Sequence, residues 1–145
     1  MATKFQVQLK IRKPAAEVFD AVVDPAKLGR YFVKSASGPL TVGATVIWNF
    51  AEVPQDLAVV VREVVKNERI VFEWPSATEG DTRVEMVFKP LDAENTMVQI
   101  NESGWRRDAK GIAASHGNAG GWMHMMCCLK AWLEYGINLR AGGAR

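Results

Sequence analysis

Residues 115–137 read SHGNAGGWMHMMCCLKAWLEYGI, and this stretch decides the fold. It is the only long segment with a sustained helical period, because at about 100° per residue its large apolar side chains fall on one stripe. The stripe consists of Trp122, Met125, Met126, Leu129 and Leu133. We predict a helix from Trp122 to Ile137, about 24 Å long, with Ser115 capping its first turn. The glycines before Trp122 either let another backbone come close or weaken the helix start.

The chain before this helix begins with a strand and two short helices. Residues 4–11 alternate polar and apolar side chains, the pattern of a strand with one buried face. Pro14 fits the first position of a helix over residues 15–22. Asp24-Pro25 repeats this start signal and predicts a second short helix that runs to Tyr31-Phe32.

Between Gly38 and Glu102 every segment has the pattern of a β-strand, and the connections are short. Strands joined by such loops are antiparallel, because a parallel pair needs a crossover of about a dozen residues. An antiparallel sheet with one apolar face needs a cover, and the C-terminal helix is the large apolar element left to provide it. We therefore predict one α+β domain over residues 1–145, with a curved antiparallel sheet of about six to seven strands wrapped on the long helix.

Composition is that of an ordinary globular protein and argues against several other classes. The chain has 145 residues, is 48% hydrophobic and 23% charged, and has a formal net charge of +2. This charge is too small, and its Lys and Arg too dispersed, to predict nucleic-acid binding. No uncharged run approaches the ~20 residues of a membrane span, and no apolar segment follows Met1, so we expect neither a span nor a signal peptide. The adjacent Cys127 and Cys128 are badly placed to bridge, which favours a reducing cytoplasm.

Four stretches carry a family resemblance. They are VQLKIRKPAAEVF at residues 7–19, DPAKL at 24–28, NERIVFEW at 67–74, and Gly121-Trp122 followed by Leu129 and Leu133. In them the chain resembles the START and plant pollen-allergen superfamily with its helix-grip fold, often labelled SRPBCC, and within it the branch named after the activator of heat shock protein 90 ATPase. The resemblance covers nearly the whole chain, and the sequence departs from the usual pattern in the Met- and Cys-rich run Met123–Cys128. Members so named are mostly single-domain proteins that resemble the co-chaperone only in fold.

The face of the sheet beneath the long helix is the first candidate site. Its alternating positions carry large aromatic and Met side chains, which pack irregularly and adapt to changing contents. The set comprises Trp48, Phe50, Phe72, Trp74, Met86, Phe88, Val98 and Ile100 from the sheet, and Trp122, Met125, Met126 and Leu129 from the helix. Periodicity alone favours a filled core, which at about 25 cal/mol per Å² is stable without a ligand. The resemblance to the helix-grip fold implies a ligand-sized pocket instead.

Glu102 is the most specific candidate within that face. It continues the inward register of Val98 and Ile100, so its carboxylate is predicted to face the helix. An unpaired buried carboxylate is costly, so the group would be paired, protonated or placed at the cavity mouth, where it could orient a ligand or act as a general base. The alternative that we prefer is a frayed strand end, with Glu102 pairing Arg106 or Arg107 in solvent.

The histidines and cysteines do not form a recognisable reactive cluster. His116 and His124 have no inward carboxylate at helical spacing, so we predict no metal site, and we expect no cofactor. His116 either reaches the cavity mouth or is a surface or capping residue, and we prefer the second interpretation. Cys127 and Cys128 have no base at a fixed spacing, so a catalytic thiol is not predicted.

The flank of the long helix away from the sheet is also apolar, although a helix facing water is usually charged there. This flank comprises Cys127, Cys128, Ala131, Trp132 and Tyr135. Either the N-terminal helices cover part of it, or it forms the interface of a homodimer.

The preferred function is a binding protein that holds a small apolar or amphipathic molecule between helix and sheet. Contact area would come from Trp48, Phe72, Trp74, Trp105 and Trp122. The polar groups expected to orient the ligand are Glu102, His116 and Tyr31. The resemblance implies two alternatives. One is a cyclase- or hydrolase-like enzyme that uses a cavity carboxylate or histidine on aromatic or polyketide-like substrates, and the other is a regulator of a chaperone ATPase.

Overall fold

The elements of the chain follow the predicted order of strand, helices, strands and long helix. The computed structural model describes residues 3–78 and 80–142. The elements are β1 (Thr3–Ile11), α1 (Ala15–Val23), α2 (Pro25–Leu28), β2 (Ser35–Ala36), β3 (Thr45–Asn49), β4 (Leu57–Val65), β5 (Arg69–Pro75), β6 (Asp81–Pro90), β7 (Thr96–Trp105) and α3 (Ala109–Tyr135).

The strands of the described residues form one seven-stranded antiparallel sheet in the order β1-β7-β6-β5-β4-β3-β2. The first strand therefore pairs with the last, and Val7 lies opposite Ile100. Helix α3 packs mainly on this β1–β7 pair. The predicted α+β class, with a curved antiparallel sheet wrapped on a long C-terminal helix, is confirmed.

The inner face of the sheet is set by strict alternation along the strands. In β7 the even-numbered residues from Thr96 to Glu102 are buried, and the residues between them are half-buried. The predicted inward register of Val98, Ile100 and Glu102 is therefore confirmed. The helix stripe packs onto this face, with Trp122, Met125, Met126 and Leu129 all buried.

Helix α3 is longer than predicted at its N-terminal end. It begins at Ala109 rather than Trp122, and the Asp108 carboxylate caps it by accepting a hydrogen bond from the Gly111 N–H at 2.8 Å. Ser115 lies inside the helix and donates to the carbonyl of Ile112 at 2.7 Å, so its predicted capping role is wrong. The hydrophobic periodicity of the sequence did not reveal the first half of the helix. Such periodicity arises from buried apolar side chains, and few side chains are buried in that half.

Two smaller boundaries near the N-terminus also differ from prediction. Pro14 is the N-cap of α1 rather than its first residue, and α2 ends at Leu28 instead of continuing to Phe32. The predicted start of α2 is confirmed, since the Asp24 carboxylate accepts a hydrogen bond from the Ala26 N–H at 2.9 Å.

The apolar flank of α3 is partly covered by the segment after α2. Cys128 is fully buried, and the Tyr31 ring stacks on Trp132 with a centroid distance of 5.7 Å. Tyr135, at the end of the helix, is 61% exposed. The N-terminal part of the chain therefore accounts for some of the flank, but not for its last turn.

Candidate functional site

Glu102 is the centre of a hydrogen-bond network between the sheet and α3. The residue lies near the end of β7 and is 0% exposed, so the expectation that it frays into solvent is wrong. Arg106, one of the two arginines proposed as its partner, pairs with Asp108 at 3.0 Å, and the other, Arg107, is exposed. The antiparallel register continues through Glu102, which lies opposite Val84 of β6, and this pairing keeps the strand end from fraying.

Side chains from β5, β6 and α3 donate hydrogen bonds to this carboxylate. Oε1 accepts from the Trp122 indole N–H at 2.8 Å and from the Asn118 amide at 3.1 Å. Oε2 accepts from the Trp74 indole N–H at 2.9 Å, the Thr82 hydroxyl at 2.5 Å and the Asn118 amide at 3.2 Å. A carboxylate has about four lone-pair sites, so these donors fill its capacity.

The network borders a cleft beside the N-terminal half of α3. The cleft has a volume of about 480 Å³. Its lining consists of Phe32, Phe50, Glu52, Val53, Leu57, Trp74, Gly117, Asn118, Gly121, Trp122, His124 and Arg140. Three of the groups that donate to Glu102, namely Trp74, Asn118 and Trp122, belong to this lining, so one buried carboxylate fixes much of its shape.

One side of the cleft is an aromatic wall, formed by Phe32, Phe50, Trp74 and Trp122. The Trp74 and Trp122 rings lie 5.2 Å apart at 31°, and Phe32 contacts Phe50 at 5.0 Å and Trp122 at 5.8 Å. Edge-to-face and tilted contacts of this kind hold rings in fixed orientations. The wall therefore offers a rigid apolar surface.

The helix contributes bare backbone to the same cleft. Gly117 and Gly121 lie one turn apart on α3 and both belong to the lining. A Cβ atom built on either glycine would meet no atom of the described residues within 4 Å. The cleft is consequently open at these positions, and a molecule within it can approach the helix backbone closely.

A charged pair also belongs to the lining of the cleft. Arg140, in the segment after α3, forms an ion pair with Glu52 of the β3–β4 loop. Its guanidinium also lies 5.9 Å from the centre of the Phe32 ring. Burial lowers the pKa of Arg140 below its ordinary value, since the surroundings disfavour the charged form.

The predicted cavity residues divide between the cleft and the solid core. Phe50, Trp74 and Trp122 line the cleft. The remaining apolar residues pack against one another in the hydrophobic core and are absent from that lining: Trp48, Phe72, Met86, Phe88, Val98, Ile100, Met125, Met126 and Leu129. Large side chains pack efficiently here, with Trp48 and Phe72 in edge contact at 5.5 Å.

The other predicted site residues lie outside the lining of the cleft. Tyr31 is 1% exposed and donates its hydroxyl to the carbonyl of Ala21 at 3.0 Å, and burial raises its pKa well above the ordinary value. Trp105 is buried and stacks on Phe5 at 5.5 Å. His116 is exposed on the surface of α3. Glu102 is not a lining residue of this cleft either, and it acts on the cleft through its hydrogen-bond donors.

Several residues that line the cleft could not be predicted as site residues from the sequence. Asn118 and His124 lie on the helix outside the apolar stripe, and Arg140 follows the helix in a segment without a period. Gly121 is one of the two glycines before Trp122, a place where the sequence indicated that another backbone could come close.

Reactive groups near the cleft are few in the described part of the chain. Burial raises the pKa of the Cys128 thiol to about 11, which disfavours a thiolate. Across residues 3–78 and 80–142, no group of three or more His, Cys, Asp or Glu side chains is placed to hold a metal ion. Over the same ranges, no helix is long and apolar enough to cross a membrane.

Known structures share this fold. The protein SSP2350 from Staphylococcus saprophyticus is 27% identical, with a TM-score of 0.81 over 99% of this chain and 100% of that one. DynU16, from the dynemicin biosynthetic locus, is 25% identical with a TM-score of 0.79, but the match covers 92% of this chain and only 48% of DynU16. The Aha1 protein from Colwellia psychrerythraea, a dimer in solution, is 18% identical with a TM-score of 0.78 over 92% of this chain and 98% of that one.

A sequence comparison identifies the family directly. A search of curated proteins gives no match. The profile of the family described as Activator of Hsp90 ATPase homolog 1-like protein matches residues 12–134, from the end of β1 almost to the end of α3. This span includes the Glu102 network and most of the cleft lining. The chain therefore belongs to the Activator of Hsp90 ATPase homolog 1-like family.

Proposed function

We propose that the protein binds a small apolar or amphipathic molecule in the cleft beside α3. The volume of about 480 Å³ is in the range of small-molecule sites, roughly 300–1,000 Å³. Such sites combine apolar and aromatic walls with a few polar groups. Here the aromatic wall supplies contact area, while Asn118, His124 and Arg140 supply polar groups.

The single observation that carries this proposal is the Glu102 network. Burying a carboxylate away from a cation costs free energy, and an apolar residue of similar size would fill the space more cheaply. In return, the carboxylate holds Trp74, Asn118 and Trp122 in the orientations that shape the cleft. A preorganised wall lowers the entropy that a ligand loses on binding, which is the benefit expected of a binding site.

The same network supports binding over proton transfer by Glu102. A general base needs a free lone pair within hydrogen-bond reach of the substrate. The acceptor sites of Glu102 are filled by protein donors, and the side chain is 0% exposed. We therefore assign Glu102 a positioning role, with the aromatic wall making the contact to the ligand.

The test is to block the cleft with a side chain on α3. Gly121→Leu places an isobutyl group where the lining is open, so we expect it to abolish binding of Nile red, an uncharged dye that brightens in apolar surroundings. Gly120→Leu is the matched control, because Gly120 is the preceding helix residue, is exposed and does not belong to the lining. Unchanged dye binding by the folded Gly121→Leu protein would contradict the proposal.

We further propose that the protein works in the cytoplasm and forms a homodimer. A cytoplasmic location is supported by Cys127 and Cys128, both of which are free thiols. A dimer is supported by apolar side chains exposed around the end of α3, with Tyr135 at 61%, Ile137 at 51% and Leu139 at 47%. The Aha1 protein from Colwellia psychrerythraea, which shares this fold, is a dimer. Sedimentation that shows only monomer at high concentration would remove this second proposal.

A further inference from the structure

The lining of the cleft contains an ion pair whose two partners differ in burial. The Arg140 side chain is 15% exposed, whereas that of Glu52 is 33% exposed. Arg140 also contacts the face of Phe32, a member of the aromatic wall. The cation is therefore built into the cleft, and its anionic partner lies nearer to solvent.

This asymmetry decides which charge a ligand can bring. A cationic ligand would have to displace Arg140 from Glu52, leaving the guanidinium of a mostly buried side chain without its anion, which is unfavourable. An anionic ligand would displace Glu52 instead. Glu52 lies in the loop between β3 and β4, so its carboxylate can return to water at low cost.

A second, smaller cavity is also lined by the pair. Its volume is about 160 Å³, and it shares Phe32, Glu52 and Arg140 with the cleft. The ion pair and the Phe32 side chain thus border both spaces. Moving Glu52 outward would open room beside Arg140 for an acidic group.

We propose that the ligand is an amphipathic acid, whose anionic group binds Arg140 in place of Glu52 and whose apolar part lies against the aromatic wall. This inference depends on the proposed function, since it names the class of ligand for the same cleft. The fork of the guanidinium suits a carboxylate, which it binds through two parallel hydrogen bonds. The bare helix backbone at Gly117 and Gly121 leaves the space that the apolar part would occupy.

The test compares decanoate, decanol and decylammonium, which share one alkyl chain and differ in charge, by displacement of Nile red and by tryptophan fluorescence. We expect the wild-type protein to bind decanoate about tenfold more tightly than decanol, as for a hydrogen bond to a charged group. Arg140→Gln should erase this advantage, and Glu52→Gln should increase it because Arg140 loses its competing anion. Arg62→Gln is the control, since Arg62 pairs with Glu73 away from the cleft and should leave all three affinities unchanged.

The outcomes separate this inference from the proposed function. If Nile red binding depends on Gly121 but decanoate binds no better than decanol, or binds equally well to Arg140→Gln, only the inference is overturned. A preference for decylammonium that Glu52→Gln removes would also overturn it. If no probe, including the dye, shows binding that Gly121→Leu blocks, the proposed function falls as well. Thermal unfolding shows whether each variant is folded. If Arg140→Gln does not fold, Glu52→Gln still tests the ion pair independently.

Discussion

At the residue scale, Glu102 shows how one polar side chain can organise an apolar surface. Its carboxylate accepts hydrogen bonds from uncharged groups: two indole N–H groups, a hydroxyl and an amide. Neutral donors stabilise a buried carboxylate less than a cation would. Two of the donors here are indole N–H groups, so two aromatic rings contact the carboxylate directly. The sequence predicted the inward direction of Glu102 from the β7 register, but it could not show which donors would meet it. Those donors come from three other elements, at sequence distances that no local pattern connects.

Glu102→Gln should destabilise the protein by about 2–4 kcal/mol, because the glutamine NH₂ group replaces an acceptor oxygen and faces existing donors. It should also weaken Nile red binding, since Trp74 and Trp122 lose their shared anchor. Urea unfolding and dye titration measure the two effects. Glu85→Gln is the matched control on the neighbouring strand, where the carboxylate pairs with Arg69 at 2.6 Å on a partly exposed face. There we expect a loss below about 1 kcal/mol. Equal losses in the two variants would contradict the role assigned to Glu102.

Gly111 is a second residue whose identity is fixed by its surroundings. A Cβ atom at this position would lie 1.9 Å from the carbonyl oxygen of Arg106, where α3 begins. Gly111→Ala should therefore shift the backbone and destabilise the fold by about 2 kcal/mol or more. Gly120→Ala, on the same helix with no atom of the described residues near its Cβ position, should instead stabilise it by about 0.5–1 kcal/mol. Chemical denaturation of both variants gives the comparison, and two changes of the same sign would be inconsistent with this packing.

At the element scale, α3 shows what a sequence pattern reveals and what it omits. Its second half carries a clear stripe and was predicted, since four of the stripe residues are buried and the fifth, Leu133, is partly buried against the core. Its first half contains Gly117, Gly120 and Gly121 and buries little, so it has no period to detect. That half supplies Gly117, Asn118 and Gly121 to the lining of the cleft. The fold was therefore predictable from the parts of the chain that build the core. The site was less so, because it also uses residues outside the core, such as Gly117, Asn118 and Arg140.

The end of α3 is attached to β1 by a group that makes stability depend on pH. The Glu134 side chain is 3% exposed and pairs with Arg12 and Lys130, each at 2.6 Å. Burial alone would raise the pKa of Glu134, but hydrogen bonds from the Arg12 backbone N–H, the Lys130 ammonium and the Arg12 guanidinium outweigh it and lower the pKa to about 2. Because this pKa is depressed in the folded state, the stabilisation is complete above the ordinary pKa of 4.5 and is lost as the pH falls towards 2.

We expect this group to contribute roughly 1–3 kcal/mol near neutral pH, less than the full shift implies because solvent screens the pair. The Arg12 side chain is 58% exposed, so the screening is substantial. Glu134→Gln should remove the contribution, and the stability difference from wild type should vanish near pH 2. Urea unfolding across this pH range measures it. Glu17→Gln, whose carboxylate is 48% exposed and lies 4.0 Å from Lys13, should differ little from wild type throughout. A difference between wild type and Glu134→Gln that persists at the lowest pH would contradict the assignment.

At the scale of the whole molecule, the cleft joins parts of the chain that are far apart in sequence. Phe32 follows α2, Trp74 ends β5, Trp122 lies in α3, and Arg140 follows the last helix. These segments meet because β1 pairs with β7 and α3 packs across that pair, which places the last helix on a sheet that includes the first strand. A molecule bound in the cleft therefore contacts elements that can separate only when the sheet and helix come apart.

Ligand binding should for this reason stabilise the whole fold rather than one loop. At a hundredfold excess over Kd, a ligand that binds only the folded state adds about 2.7 kcal/mol. For a chain of 145 residues this corresponds to a rise in Tm of roughly 5–10 °C. Scanning calorimetry with decanol or decanoate, whichever binds more tightly, should show one transition that moves upward as a unit in the wild-type protein and in Gly120→Leu. In Gly121→Leu the same transition should not move, because the cleft is filled. A split transition, in which only a minor part of the unfolding heat responds to ligand, would mean that the bound molecule contacts a locally unfolding segment and not the joint between sheet and helix.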